Sequence, residues 1–155
     1  MEPTQDRTPP LILDVWIRAE PAEVREGLSR SRRALARIGF DPERGEEAEL
    51  MLAEALNNVV EHAYDGREDG RIHLQIQADA GLALFRICDF GCEMPGGHAP
   101  SGRIASAPER AALAEGGYGW HLIRRLADTV CYRRCGSSNC LELRLRGASR
   151  QDAED

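Results

Sequence analysis

The sequence predicts an α+β two-layer sandwich with an antiparallel-rich sheet. Three observations lead there. Two segments of helical periodicity occupy the first half of the chain. Segments that alternate apolar and polar residues follow, two of them joined across a tight turn. The length is 155 residues, one domain's worth of chain. A chain of this size buries roughly two thirds of its unfolded surface.

The elements follow in order. Met1–Pro10 is polar with three prolines, and Gly147–Asp155 is polar and acidic, so 1–10 and 147–155 are expected to be flexible tails around one domain over 11–146. Leu11–Ile17 (LILDVWI) is a short apolar run, read as a strand. Glu20-Pro21 opens a helix, with proline where a missing N–H is harmless. Val24, Leu28, Leu35 and Ile38 recur at helical spacing with Ser31 in the same row, and Gly39 ends the helix. Arg25, Arg30, Arg32, Arg33 and Arg37 crowd this helix; they are either a solvated face or a basic docking stripe for an acidic partner.

Asp41-Pro42 starts a second helix that should run to about Tyr64 and stop before Gly66. Its apolar stripe is Ala48, Met51, Leu52, Ala55, Leu56, Val59, Val60 and Ala63. Arg71–Gln77 and Leu82–Asp89 read as a hairpin turning at Ala80-Gly81. Gly91–Gly117 holds glycines, serines and three prolines, with a weak helical patch at Pro108–Glu115. So long a stretch without strong periodicity suggests a functional lid. Tyr118–Asp128 reads as a helix burying Leu122, Ile123 and Leu126. A short strand at Val130–Arg134 and a late strand carrying Leu141, Leu143 and Leu145 flank a turn across Gly136–Asn139.

Composition removes several functions. All 20 basic residues are arginine, and there is no lysine. That excludes the P-loop lysine, the strand lysine of eukaryotic-type protein kinases, and Schiff-base catalysis. Phosphate here must be met by arginine, backbone amides or a metal. A net charge of −6 argues against direct nucleic-acid binding. No apolar run approaches a membrane span of roughly 18 residues. The N-terminus lacks the apolar stretch of a signal peptide, so the expected address is the cytoplasm. There the five cysteines, Cys88, Cys92, Cys131, Cys135 and Cys140, are expected to stay reduced, without disulfides. Their two C-x3-C spacings admit a zinc site only if both pairs meet in space; small core residues are the default reading.

Three local patterns carry chemistry. On the second helix Glu54, Asn58 and His62 are spaced i, i+4, i+8 beside the apolar stripe. A carboxylate one turn from a carboxamide could share a metal-bound phosphate. At the end of a strand comes Asp89-Phe90-Gly91, where a carboxylate facing a pocket can accept a hydrogen bond from an exocyclic amine. Gly91 would let a flat ring approach the backbone. Finally, Gly116-Gly117-Tyr118-Gly119 leads into a helix, whose free N–H groups and dipole favour phosphate.

The order of these patterns resembles the Bergerat-fold (GHKL) ATP-binding superfamily, with its N, G1 and G2 boxes. The stretches EALNNVVEHAY and GGYGWHLIRRLADTVCYRR resemble the RsbW-type anti-sigma-factor serine kinases in particular. The resemblance covers about residues 11 to 146. It implies a mixed, largely antiparallel sheet with helices on one face, and a single ATP-binding kinase domain with its lid at about 92–116. It also implies roles for particular residues. Glu54 would be the catalytic base, and Asn58 would ligate the Mg2+ that bridges the ATP phosphates. Asp89 would bind the adenine amine with Gly91 beneath the ring. Gly117 and Gly119 would hold the phosphates, helped by a lid arginine, Arg103 or Arg110. His62 would support the pocket. The pattern departs from the superfamily at Glu93, where many members carry a second glycine, and at Trp120, where an aliphatic residue is usual. Ser138 and Asn139 both stand near the position of a polar residue expected under the adenine.

The implied function is a serine/threonine kinase that phosphorylates a small anti-sigma-factor antagonist and sequesters a sigma factor, with homodimerisation. The alternative is a non-catalytic, nucleotide-dependent sigma-factor-binding module. A histidine kinase is disfavoured, because the first histidine is His62, already inside the N box.

Overall fold

The computed structural model describes residues 8–67, 69–101 and 117–147. Most of the expected tails at 1–10 and 147–155, most of the expected lid, the patch at Pro108–Glu115, Gly116, Arg103 and Arg110 lie outside the described residues.

The expected α+β two-layer sandwich is present. Its strands are β1 (Leu11–Arg18), β2 (Arg71–Ala78), β3 (Leu82–Asp89), β4 (Thr129–Cys135) and β5 (Ser138–Arg146), in the order β1-β2-β3-β5-β4. All four ladders are antiparallel, so no mixed component occurs among the described residues. The helices are α1 (Pro21–Arg37), α2 (Pro42–Asn58) and α3 (Gly117–Leu126).

Alternation along the strands decides which face meets the helices. Val15, Ile17, Ile72, Leu74, Ile76, Phe85, Ile87, Leu141, Leu143 and Leu145 are buried. They pack with Val24 and Leu35 of α1, Met51, Leu52 and Leu56 of α2, and Ile123 of α3 in one core. The opposite face carries Trp16 and His73, whose rings stack at 4.3 Å. Ser31 is accommodated in the core row of α1 because its Oγ donates to the Gly27 carbonyl at 2.7 Å. The α1 arginines behave as a solvated face: Arg32 pairs with Glu49 and Arg33 with Glu26, all partly or largely exposed.

Caps fall where the sequence placed them. Asp41 accepts from the Arg44 N–H at 3.0 Å, and Pro42 follows at the first turn. Gly39 and Gly66 take positive φ at +76° and +73° after their helices.

Three features differ from the sequence reading. First, α2 does not continue unchanged to Tyr64. Val59–Ala63 is a π-helical turn, and the Tyr64 N–H bonds the Val59 carbonyl at 3.0 Å. Such a turn inserts an extra residue and rotates the later side chains about the helix axis. Second, β5 begins at Ser138, not beyond Asn139. Gly136 adopts a φ of +60°, which permits a turn of only Gly136 and Ser137. Asn139 thereby joins the ladder opposite Asp89.

Third, the expectation of no disulfides is corrected: Cys88 and Cys140 are bonded across β3 and β5. Their register sets them face to face with Cα atoms 4.2 Å apart, a juxtaposition hidden by 52 residues of separation. The remaining cysteines are not core residues either, since Cys92 and Cys135 are exposed and Cys131 is half-buried. Among the described residues no group of three or more His, Cys, Asp or Glu side chains could hold a metal, which leaves the zinc option without support. No described helix is long and apolar enough to cross a membrane.

Tyr64 wedges the end of the second helix against the sheet. Its hydroxyl donates to the Arg71 carbonyl and accepts from the Phe90 N–H at 2.8 Å. A Cβ at Gly70 would stand 2.4 Å from the Tyr64 ring, whereas one at Gly39 would meet nothing within 4 Å. Gly70→Ala is therefore expected to destabilise the fold by about 2 kcal/mol or more. Gly39→Ala should lose only about 1 kcal/mol, from its backbone conformation. Urea unfolding midpoints check the pair; equal shifts would remove Tyr64 as a wedge.

Candidate nucleotide site

A cavity of about 460 Å³ opens between α2, its π turn, the segment after β3, α3 and the ends of β4 and β5. That volume lies in the range of small-molecule sites. Asn58, His62, Asp89, Met94, Trp120, Tyr132 and Asn139 are among its walls.

Asp89 is the last residue of β3 and only 4% exposed. A buried carboxylate needs donors. Its Oδ1 accepts from Asn139 Nδ2 and from the Gly91 N–H, both at 2.8 Å. Both of these bonds fall on one oxygen, so Oδ2 is the atom left to accept from a ligand in the cavity. Burial, the strongest influence, pushes the Asp89 carboxyl above its ordinary 3.8; the Asn139 amide, the Gly91 N–H and the Arg134 charge pull it back.

Asn139 is the polar residue of the late strand that the sequence left open between it and Ser138. Its Nδ2 also donates to the carbonyls of Cys92 at 2.9 Å and Gly91 at 3.3 Å. Its Oδ1 accepts from Tyr132 Oη and from Arg134 Nη1, the latter at 3.0 Å. Three acceptors on one side and two donors on the other leave a single orientation for the amide. Tyr132 Oη also accepts from the Met94 N–H at 3.1 Å, and Arg134 Nη1 donates to the Gly91 carbonyl at 2.8 Å. Tyr132, Arg134 and Asn139 thus hold the backbone of Gly91, Cys92 and Met94 where it leaves β3. Sequence reasoning missed Tyr132 and Arg134. Strand parity was the available signal, because residues 130, 132 and 134 share one face of β4.

The glycines act differently from one another. A Cβ on Gly91 would stand 2.3 Å from the Ala63 carbonyl oxygen, which also accepts the Cys92 N–H at 2.7 Å. On the side where a Cβ would project, Gly91 is therefore packed against the end of the π turn. Gly119 lies in the first turn of α3, and a Cβ there would stand 2.6 Å from Glu54 Oε2 and 3.7 Å from Asn58 Nδ2. The third sequence pattern rests directly on the first. Gly117 is the first residue of α3.

Glu54 does not line the cavity; its carboxylate lies against Gly119. Asn58 does line it, and its buried Nδ2 has no hydrogen-bond partner among the described residues. An unsatisfied buried amide costs about 1–3 kcal/mol unless something meets it. A carboxamide also carries an oxygen, a ligand type that magnesium takes. Magnesium usually takes one or two protein ligands and completes its shell with phosphate oxygens and water. The residues present fit a magnesium–nucleotide complex: one orphaned carboxamide, helix N–H groups at a glycine turn, and a half-used carboxylate at the far end. His62 lines the cavity with its side chain 61% exposed. Trp120 is buried and forms part of the wall.

The folded protein holds the Asp89 proton more tightly than the unfolded chain would. Ionised Asp89 is thus a net burden on stability above its raised pKa, relieved as pH falls through it. Asn139→Ala removes the main counterweight. The variant should lose about 1–3 kcal/mol at neutral pH and regain part of it as Asp89 protonates. Urea unfolding at neutral and mildly acid pH checks this; a pH-independent loss would mean that Asn139 does not act through the Asp89 charge.

Known proteins place this geometry. Residues 17–146 match the family described as the histidine kinase-like ATPase domain. A serine-protein kinase RsbW of Listeria innocua serovar 6a is 28% identical over 114 residues, covering 72% of this chain and 73% of that protein. The serine-protein kinase RsbW of Oceanobacillus iheyensis is 31% identical over 96 residues, 61% of each chain. Among solved structures, the RsbU and RsbW domains of a Mycobacterium tuberculosis protein superpose with a TM-score of 0.61 at 18% identity. That match covers 86% of this chain and 32% of the other. The blue-light activated histidine kinase of Erythrobacter litoralis gives a TM-score of 0.52 at 18% identity, covering 81% and 42%. These likenesses agree with the Bergerat-type α+β fold, and the matched span takes in every residue of the cavity: the chain belongs to the histidine kinase-like ATPase domain family.

Proposed function

We propose that this protein is an ATP-dependent serine/threonine kinase that phosphorylates a small anti-sigma-factor antagonist and sequesters a sigma factor. The observation that carries the reading is the seating of Gly119 on Glu54 and Asn58. It brings a phosphate-binding helix start, a carboxylate and an orphaned carboxamide together without a lysine. The names of the serine-protein kinase RsbW relatives support the substrate class.

In this reading Asp89 Oδ2 accepts from the adenine amine and fixes the base. The N–H groups of Gly117 and Gly119 at the start of α3 hold the phosphates in the favourable field of the helix. Asn58 would hold magnesium through its side-chain oxygen. Bound there, magnesium neutralises phosphate charge during transfer. Glu54 takes the proton of the attacking serine or threonine hydroxyl, so that the γ-phosphoryl passes to the oxygen and ADP leaves. Transfer of this kind depends on positioning and charge more than on covalent help. A homodimer in the cytoplasm, exchanging sigma factor for antagonist, completes the proposal.

Glu54→Ala should retain ATP binding and lower transfer to the antagonist by about 100-fold or more. Incubation with γ-labelled ATP and the antagonist, with mass spectrometry of the product, checks both halves. Transfer at the wild-type rate would sink the assignment of Glu54 as base. A wild-type protein that binds ATP and sigma factor without phosphorylating any antagonist would leave only a sequestering module.

A further inference from the structure

Cys88 and Cys140 face each other on β3 and β5, on the sheet surface opposite the helices. One rung further, Asp89 opposite Asn139 is the last pair of the ladder and part of the cavity wall. Beyond it β3 leaves for the lid, and β5 meets the turn at Gly136-Ser137. Terminal rungs of a ladder open most readily. A covalent link one rung inboard opposes that opening.

We propose that Cys88 and Cys140 form a reversible thiol–disulfide switch, whose closure clamps the Asp89–Asn139 rung and tightens adenine-nucleotide binding. The second half rests on the nucleotide reading above; the first does not. The oxidant is a disulfide, small or protein-borne, written R–S–S–R. One cysteine thiolate attacks a sulfur of R–S–S–R, breaks that S–S bond and releases R–S⁻. The second thiolate attacks the resulting mixed disulfide at the protein sulfur, forms the Cys88–Cys140 bond and releases a second R–S⁻. Two protein thiols are oxidised, R–S–S–R is reduced to two R–SH, and the two thiol protons end on the released thiolates. Two R–SH reverse the exchange.

The surroundings suit this chemistry. Arg86 Nη2 lies 3.9 Å from Cys140 Sγ, and a nearby cation favours the thiolate. Cys131 and Cys135 flank Arg133, the residue opposite Cys140 on β4. They share the same face and are the rival partners for Cys140.

The full chain is equilibrated with reduced or oxidised glutathione, its free thiols are alkylated, and its linkages are mapped by peptide mass spectrometry. ADP affinity is then measured by calorimetry with magnesium present. The expected result is a Cys88–Cys140 linkage in the oxidised sample and an ADP Kd about three- to tenfold lower than in the reduced one, the gain from ordering one or two side chains. Cys140→Ser and Cys88→Ser should each abolish the difference, so that failure of one to fold leaves the other. The double variant Cys131→Ser/Cys135→Ser should preserve it. No linkage, or a linkage through Cys131 or Cys135, overturns the switch. Equal ADP affinity in both redox states overturns the coupling and leaves the nucleotide reading intact. No ADP binding in either state overturns the coupling and the nucleotide reading together, while the mapped linkage still decides the switch.

Discussion

A carboxylate taken out of water must be met by donors, and Asp89 imposes that demand at the end of β3. One side of the cavity is arranged around meeting it. Asn139 supplies the side-chain donor, which requires β5 to reach back to Ser138 and the β4–β5 turn to shrink to two residues. Asn139 is in turn oriented by Tyr132 and Arg134 from β4. The same three side chains grip the backbone of Gly91, Cys92 and Met94, so the groups that meet one buried charge also hold the chain as it leaves β3. The Asn139 amide and the Gly91 N–H both donate to Oδ1 of Asp89, a residue that lines the cavity.

The helical wall reaches the sheet through places where side chains are missing. Gly91 lets the strand end touch the Ala63 carbonyl, and Gly119 lets α3 settle on Glu54 and Asn58. The π turn at Val59–Ala63 lies between these contacts. It comes directly after Asn58 and positions the carbonyl that receives the Cys92 N–H. Close backbone approach and an extra residue in the helix therefore shape the cavity together. The resulting cavity has both the Asn58 amide and the Asp89 carboxylate in its wall.

Much of this was legible from residue order. Periodicity located α1, the start of α2, the β2–β3 hairpin and β1 to within a residue or two, because burial of one face requires apolar residues at the matching period. Proline and glycine marked the helix ends through their backbone restrictions. Glu54, Asn58, Asp89, Gly91, Gly117 and Gly119 could be singled out by type and spacing. What each glycine is for could not, since a missing side chain in a sequence does not say what occupies its place. At Gly91 that place is taken by the Ala63 carbonyl.

The sequence by itself determined the fold class, the lysine-free character of any phosphate site and the residue types available to build one. These are local or compositional properties, expressed within a turn or a strand. Tertiary structure alone decided that Asn139 rather than Ser138 meets Asp89, that Cys88 and Cys140 bond, and that Gly119 lands on Glu54 and Asn58. Each of these depends on strand register or on the approach of elements roughly fifty or more residues apart. A one-residue change in where β5 begins would have turned Asn139 to the other face of the sheet.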